Sequence, residues 1–340
     1  MSFDPTNPLL AERTVAVVGY GSQGRAQARN LHDSGARVVV GVREGGPSWD
    51  RVAEDGLQRA TVSEATAQAD LVALLVPDME QPSVFEEQMR PNLKPGAVLL
   101  FSHGFNVHYG RLEAGPETPV VMIAPKGPGN LVRRTYEEGR GVPCLLAVHQ
   151  DPKGDAHALA HAYAELIGGT RAGVIDTTFA EETETDLFGE QAVLCGGVTE
   201  LITAGFETLV EAGYDPRVAF FECCHELKLI VDLIYEGGFR RMHRFVSETA
   251  SYGDVSRGPR VITEETRERM RDVLTAIQDG TFAEEWAAEF SAGGGQFRAL
   301  QKADETHPLQ DVGDRMRAGF SWNAEEDTAP SEPAATETGA

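Results

Sequence analysis

Short, continuous runs of β-branched and aliphatic residues recur along the first half of the chain: TVAVVGY, RVVVGV, ADLVALLVP, AVLLFS, PVVMIAP, VPCLLAVH and TRAGVIDTT, between about residues 13 and 176. Stretches with helical spacing separate them. Runs that are apolar throughout belong to strands buried on both faces, so the pattern predicts a parallel α/β sheet with helices on either side. After about residue 181 the spacing turns helical, clearest over 191–211 and 218–235, and the second half reads as all-α. The expected organisation is a Rossmann domain over 1–180, an all-α domain over 181–323 and a disordered tail over 324–340, where AEEDTAPSEPAATETGA holds five acids and no base.

Composition changes this picture only by exclusion. At 340 residues the chain exceeds the roughly 250 that one core usually serves, which supports two domains. A formal net charge of −23 repels phosphate backbones, so nucleic acid is not an expected partner. No run approaches the ~20 consecutive apolar residues that cross a bilayer, and MSFDPTNPLL has none of the parts of a secretory signal, so a cytoplasmic protein is expected. Cys144, Cys195, Cys223 and Cys224 match no disulfide framework or zinc spacing and read as buried free thiols.

The first run is followed directly by Gly19-Tyr20-Gly21-Ser22-Gln23-Gly24 and then a helical pattern. A G-x-G-x-x-G between strand and helix brings backbone amides and the helix N-terminus to a pyrophosphate, and its third glycine lets helix and strand pack closely. The second strand ends at Val42, and Arg43 stands where NAD enzymes usually present an acid to the ribose. A guanidinium there suits a 2′-phosphate, with Ser48 as a second donor and Glu44 opposed, so NADPH is the expected cofactor.

Ligands of such sheets bind beyond the carboxyl ends of the strands, which gives weight to Asp78 and Gln81, His103, and Lys126. His103 can transfer protons near neutral pH, and Lys126 can hold a carboxylate or phosphate. The helical half carries two acid pairs at i,i+4, Asp186 with Glu190 and Glu222 with Glu226, among apolar neighbours. Like charges so spaced repel, and a hard divalent cation such as Mg²⁺ compensates them through oxygen ligands alone. Two pairs could hold two ions. Either pair taken singly also fits a solvated acidic face.

Longer segments carry a family pattern: GYGSQG at 19–24, FSHGFNVH at 101–108, APKGPGN at 124–130, GRGVPCLLAVHQD at 139–151, ETETDLFGEQAVLCGG at 182–197, ECCHELKLIVDLIYEGG at 222–238 and IQDGTFAEEW at 277–286. From about residue 5 to 322 the chain resembles the short, class I ketol-acid reductoisomerases, also called acetohydroxyacid isomeroreductases. The resemblance implies alkyl migration in a 2-acetohydroxy acid (2-acetolactate or 2-aceto-2-hydroxybutyrate) on two Mg²⁺, then reduction by NADPH to a 2,3-dihydroxy acid, in valine and isoleucine synthesis. It implies that Asp186 bridges both ions, Glu190 binds one, and Glu222 and Glu226 complete the second from a partner subunit of a homodimer or larger homo-oligomer. It further implies catalytic roles for His103, Lys126 and Glu226, a substrate contact at Ser247, and cofactor contacts at Tyr20 to Gln23, Arg43, Ser48, Asp78, Met79, Glu80, Gln81 and Gly129. A deep knot in the helical domain is implied as well, against the usual rule.

Some positions depart from that family. Gly46 replaces a serine that helps hold the 2′-phosphate, Asn130 replaces a histidine, His243-Arg244-Phe245 replaces something like Asn-Tyr-Ser, and Ser251 replaces a glutamate. These differences fit a paralogue with shifted substrate or relaxed cofactor choice. The competing readings are a metal-independent hydroxy-acid dehydrogenase, which needs none of the four carboxylates, and a dinucleotide-sensing regulator, which binds NADPH without oxidising it.

Overall fold

In the computed structural model residues 7–320 are described, and the expected acidic tail lies outside them. The chain forms two compact units, with the division falling between Leu187 and Phe188.

The first unit is built on an eight-stranded sheet in the order β3-β2-β1-β4-β5-β6-β7-β8. Its strands are β1 (Thr14–Val18), β2 (Arg37–Gly41), β3 (Gln58–Ala60), β4 (Leu71–Leu74), β5 (Val98–Phe101), β6 (Val120–Pro125), β7 (Cys144–Gln150) and β8 (Val174–Asp176). The helices between them are α1 (Ser22–Asp33), α2 (Pro47–Glu54), α3 (Val62–Gln68), α4 (Gln81–Val84), α5 (Phe105–His108), α6 (Gly129–Glu137) and α7 (Ala156–Leu166).

Alternate residues of each strand feed opposite cores. Val15, Val17, Val38, Val40, Leu100 and Ile123 pack with α7 on one face, while Ala16, Val18, Val39, Leu99, Phe101 and Met122 pack with Phe85 and Met89 on the other. Two covered faces explain why these strands read as unbroken apolar runs.

Two strands differ from the sequence expectation. β3, the edge strand Gln58-Arg59-Ala60, has no apolar run to announce it. β7 pairs antiparallel with β6, so the sheet is mixed rather than wholly parallel. The cause lies in α6, which packs on α1 instead of returning along the sheet: Asn30 Nδ2 donates to the Val132 carbonyl at 3.4 Å, and Arg133 Nη1 to Asn30 Oδ1 at 2.9 Å. The chain therefore re-enters the sheet at the edge where it left, with Cys144 opposite Pro125.

The described part of the second unit is helical. Its helices are α9 (Gly196–Glu211), α10 (Pro216–Phe220), α11 (Glu226–Phe245), α12 (Glu248–Val261), α13 (Glu264–Gln278), α14 (Thr281–Ser291), α15 (Gly295–Glu305) and α16 (Pro308–Arg317), following α8 (Phe179–Gly189). Two π-helical turns, Glu190–Leu194 and Phe221–His225, interrupt the α-helical ladder. α11 breaks at Gly238, whose φ of 68° is open to glycine without strain.

A core cluster of this unit consists of Phe206, Ala219, Phe220 and Val312. Many of its apolar side chains are exposed instead, among them Leu194 at 67%, Phe239 at 71% and Tyr235 at 91%. The run Phe179–Glu211 is long and apolar enough, by length and composition alone, to cross a bilayer, although polar residues interrupt it. All four thiols are free as expected and Cys144 is buried, but Cys223 and Cys224 are half-buried and Cys195 is exposed.

Candidate active site

The strand order reverses between β1 and β4, which places a crevice beyond their carboxyl ends. Gly19 opens it. Its φ of 101° and a would-be Cβ 2.8 Å from the Leu75 carbonyl require glycine. A Cβ on Gly24 would lie 2.2 Å from the Gly19 carbonyl oxygen, the close packing expected of the third glycine, whereas one on Gly21 would meet nothing within 4 Å. That open space over the N-terminus of α1 is where a pyrophosphate fits.

The loop is braced from both sides. Tyr20 is buried, and its hydroxyl donates to Asp55 Oδ2 at 2.7 Å, so it can offer a cofactor only its backbone. Arg25 donates to both oxygens of the same carboxylate, at 2.7 and 2.9 Å. Burial alone would raise the Asp55 pKa, but hydrogen bonds from Arg25 and Tyr20 hold it below the usual carboxylate range. A depressed carboxylate stabilises the fold above its unfolded pKa and loses that contribution as pH falls through its folded one. Asp55→Asn is accordingly expected to destabilise the protein at pH 7 and to flatten the fall of Tm with acidification below about pH 4. Thermal melts from pH 7 to 3 check this, and parallel wild-type and variant slopes would exclude the linkage.

On the other side Gln23 Nε2 donates to the Gly127 carbonyl at 2.9 Å, and Gln27 Nε2 joins Gln23 Oε1 to Ser102 Oγ, each at 3.0 Å. Gly129 touches Ser22: a Cβ there would lie 2.1 Å from the Ser22 carbonyl oxygen. The glycine loop is thus tied to the loops after β5 and β6. Gln81 is buried and supports the β4 loop, donating to the Val76 carbonyl and to Asp78 Oδ1 at 3.1 Å each. Met79 is buried and Glu80 exposed. Arg43 is exposed beyond β2, and half-buried Ser48 lies in the first turn of α2.

His103 and Lys126 meet on α8. Phe179 anchors that helix edge-on to Phe101, with ring centroids 6.5 Å apart. Gly104 lets the helix close in, since a Cβ there would lie 2.2 Å from Thr183 Oγ1. One turn of helix then presents Glu182 and Asp186 to the strand ends. Lys126 Nζ lies 2.8 Å from Glu182 Oε1 and 2.8 Å from Asp186 Oδ1. His103 Nδ1 lies 3.2 Å from Glu182 Oε2 and 3.4 Å from Asp186 Oδ2, and the Gly104 amide donates to Glu182 Oε2 at 3.1 Å.

Two cations and two carboxylates balance here. Burial would lower the His103 pKa, but the hydrogen bond and charge of Glu182, with Asp78 and Asp186, raise it to about 9. Burial likewise opposes the charge on Lys126, and Glu182 and Asp186 outweigh it and push the ammonium pKa up. Glu182 is held low by His103 and Lys126 against its own burial, while burial pushes Asp78 up. These shifts keep His103 and Lys126 protonated at neutral pH, beside the crevice at the strand ends.

Glu182, only 1% exposed, was not singled out from the sequence. It precedes Asp186 by the same four residues that separate Asp186 from Glu190, so extending the i,i+4 stripe one turn back would have found it. Glu190, Glu222, Glu226 and Ser247 belong to the second unit. Glu190, Glu222 and Glu226 are exposed on or beside the two π-helical turns, a backbone form common at functional sites. The burial argued from their apolar flanks does not hold throughout: Val193, Leu194 and Leu229 are exposed. Ser247 caps α12, its Oγ accepting from the Ala250 amide at 3.1 Å.

Fold and cluster together define a nicotinamide-dependent oxidoreductase with a Rossmann unit and a helical unit. Comparison with known proteins takes this further. Residues 9–173 match the acetohydroxy acid isomeroreductase NADPH-binding domain, and residues 179–322 match the ketol-acid reductoisomerase C-terminal domain. The chain is also similar to a solved NADH-preferring ketol-acid reductoisomerase from an uncultured archaeon, at 44% identity and TM-score 0.90, over 92% of this chain and 96% of that one. A Cupriavidus necator semialdehyde dehydrogenase NAD-binding protein shares the fold alone, at 20% identity and TM-score 0.60, over 79% and 99%. The chain belongs to the ketol-acid reductoisomerase family and is an enzyme of that kind, in branched-chain amino-acid biosynthesis.

Proposed function

We propose that the enzyme converts 2-acetolactate and 2-aceto-2-hydroxybutyrate to 2,3-dihydroxy acids by Mg²⁺-dependent alkyl migration and NADPH reduction. The observation that carries this reading is the neutral His103–Lys126–Glu182–Asp186 cluster beside the glycine loop. The donor chemistry fits the metal: Asp186, Glu190, Glu222 and Glu226 offer oxygen ligands only, and His103, Glu182 and Asp186 place ligand atoms within 4.8 Å of one another. When bound by the four acids, two Mg²⁺ would supply the Lewis acidity that polarises the substrate carbonyl, and NADPH the hydride.

The chain's own groups do the rest. Glu182 accepts from His103 Nδ1 and orients the ring, leaving Nε2 to exchange a proton with substrate. Lys126 directs its ammonium at developing negative charge. Ser247 spends a lone pair on its helix cap and keeps its hydroxyl proton for the substrate carboxylate. Glu226 serves as both ligand and proton acceptor. Arg43 and Ser48 take the 2′-phosphate, with Gly46 in place of a third contact.

Alkyl preference is tuned near Ser247, where His243 Nε2 pairs with Asp254 Oδ2 at 3.0 Å. The exposed apolar residues of the helical unit support a homodimer or larger homo-oligomer, with a second copy rather than lipid covering them, and a cytoplasmic enzyme is the accompanying reading. Tyr235→Asp with Phe239→Asp is expected to give a monomer by light scattering and to lose most turnover; an unchanged dimer would remove that interface.

The deciding experiment follows NADPH absorbance with purified protein, acetolactate and Mg²⁺, repeated with NADH and with EDTA. Oxidation that needs both Mg²⁺ and acetolactate supports the reading, and turnover that survives EDTA opposes it. Glu190→Ala is expected to abolish both turnover and Mg²⁺ affinity at its site.

A further inference from the structure

The two carboxylates that share Lys126 are not equivalent. Both oxygens of Glu182 are engaged, Oε1 by Lys126 and Oε2 by the Gly104 amide and His103, and the side chain is 1% exposed. Asp186 is 29% exposed, its Oδ1 is held by Lys126 at 2.8 Å, and its Oδ2 stands 3.4 Å from His103. Glu182 therefore cannot turn to a new partner without stranding the buried Gly104 amide, whereas Asp186 can. A divalent cation at Asp186 brings two positive charges to the oxygen where an ammonium already sits, and both cannot remain in contact with it.

We infer that Lys126 is the resident counter-cation of Asp186: its ammonium neutralises the carboxylate until a divalent ion takes it, and Glu182 then retains the ammonium alone. The inference rests on the proposed metal role of Asp186. It makes metal loading and the aiming of Lys126 one event, because the ammonium released from Asp186 stays in the crevice. It also reverses the sign expected of a lysine that merely positions a ligand, whose loss would weaken metal binding.

The test is calorimetric titration of MgCl₂ into EDTA-stripped, full-length protein, without substrate, for wild type, Lys126→Met, Lys126→Arg, Glu182→Gln and the Lys126→Met/Glu182→Gln double variant. NADPH binding by fluorescence reports that each is folded. Lys126→Met is expected to bind Mg²⁺ about tenfold more tightly or better, and Lys126→Arg about as wild type. Glu182→Gln is expected to weaken binding by about tenfold alone and by less than about twofold beside Lys126→Met, since its role is to retain the ammonium. Equal or weaker binding by Lys126→Met, or an equal penalty for Glu182→Gln in both backgrounds, overturns the inference. If wild type and Asp186→Asn bind Mg²⁺ alike, it is the metal reading of Asp186 that fails.

Discussion

Glu182→Ala is expected to lower kcat at least about a hundredfold and to destabilise the protein by about 3 kcal/mol, the lower end of what breaking a buried ion pair costs. The lower end applies because Lys126 is about a third exposed, is screened by water and keeps Asp186 as a partner. The cost to turnover is larger because both proton-bearing groups lose their common anchor. His103 loses the acceptor that raises its pKa, and the Gly104 amide loses its partner. Denaturant melts and steady-state rates measure the two effects separately. A variant with full kcat would show that the cluster only supports the fold.

Substituting the glycine loop separates cofactor binding from stability. Gly21→Ala places a methyl group in open space, so its Tm is expected to match wild type within about 2 °C while its KM for NADPH rises at least about tenfold. Gly24→Ala drives a methyl group onto the Gly19 carbonyl and is expected to cost about 1–3 kcal/mol as well as cofactor affinity. Calorimetry with cofactor titration reads both. Unimpaired NADPH binding by Gly21→Ala would place the pyrophosphate elsewhere.

Much of the first unit could be read from sequence because its strands are buried on both faces, and continuous apolar runs such as Thr14–Val18 have no other economical use. The G-x-G-x-x-G and the strand-end residues His103 and Lys126 followed from position alone. What stayed hidden was set by packing between distant segments. The reversed direction of β7 depends on α6 choosing α1 as its neighbour, a contact between residues about a hundred positions apart. Tyr20 sat inside a ligand motif, yet its ring is spent on Asp55. Glu182 lay in plain sight within a helical stripe of acids, but its burial arises only where Gly104 lets α8 close on the sheet.

The order of the strands has one more consequence. β2, which ends beside Arg43 and Ser48, the residues proposed to read the ribose, is separated from β5 by β1 and β4, a span of roughly 14 Å at ordinary strand spacing. Selectivity for the tail of the dinucleotide and reactivity at its head are therefore anchored in different parts of the scaffold. On the proposed roles, a lineage would exchange one currency of reducing power for the other by editing a six-residue stretch, 43–48, without touching the groups assigned to move protons.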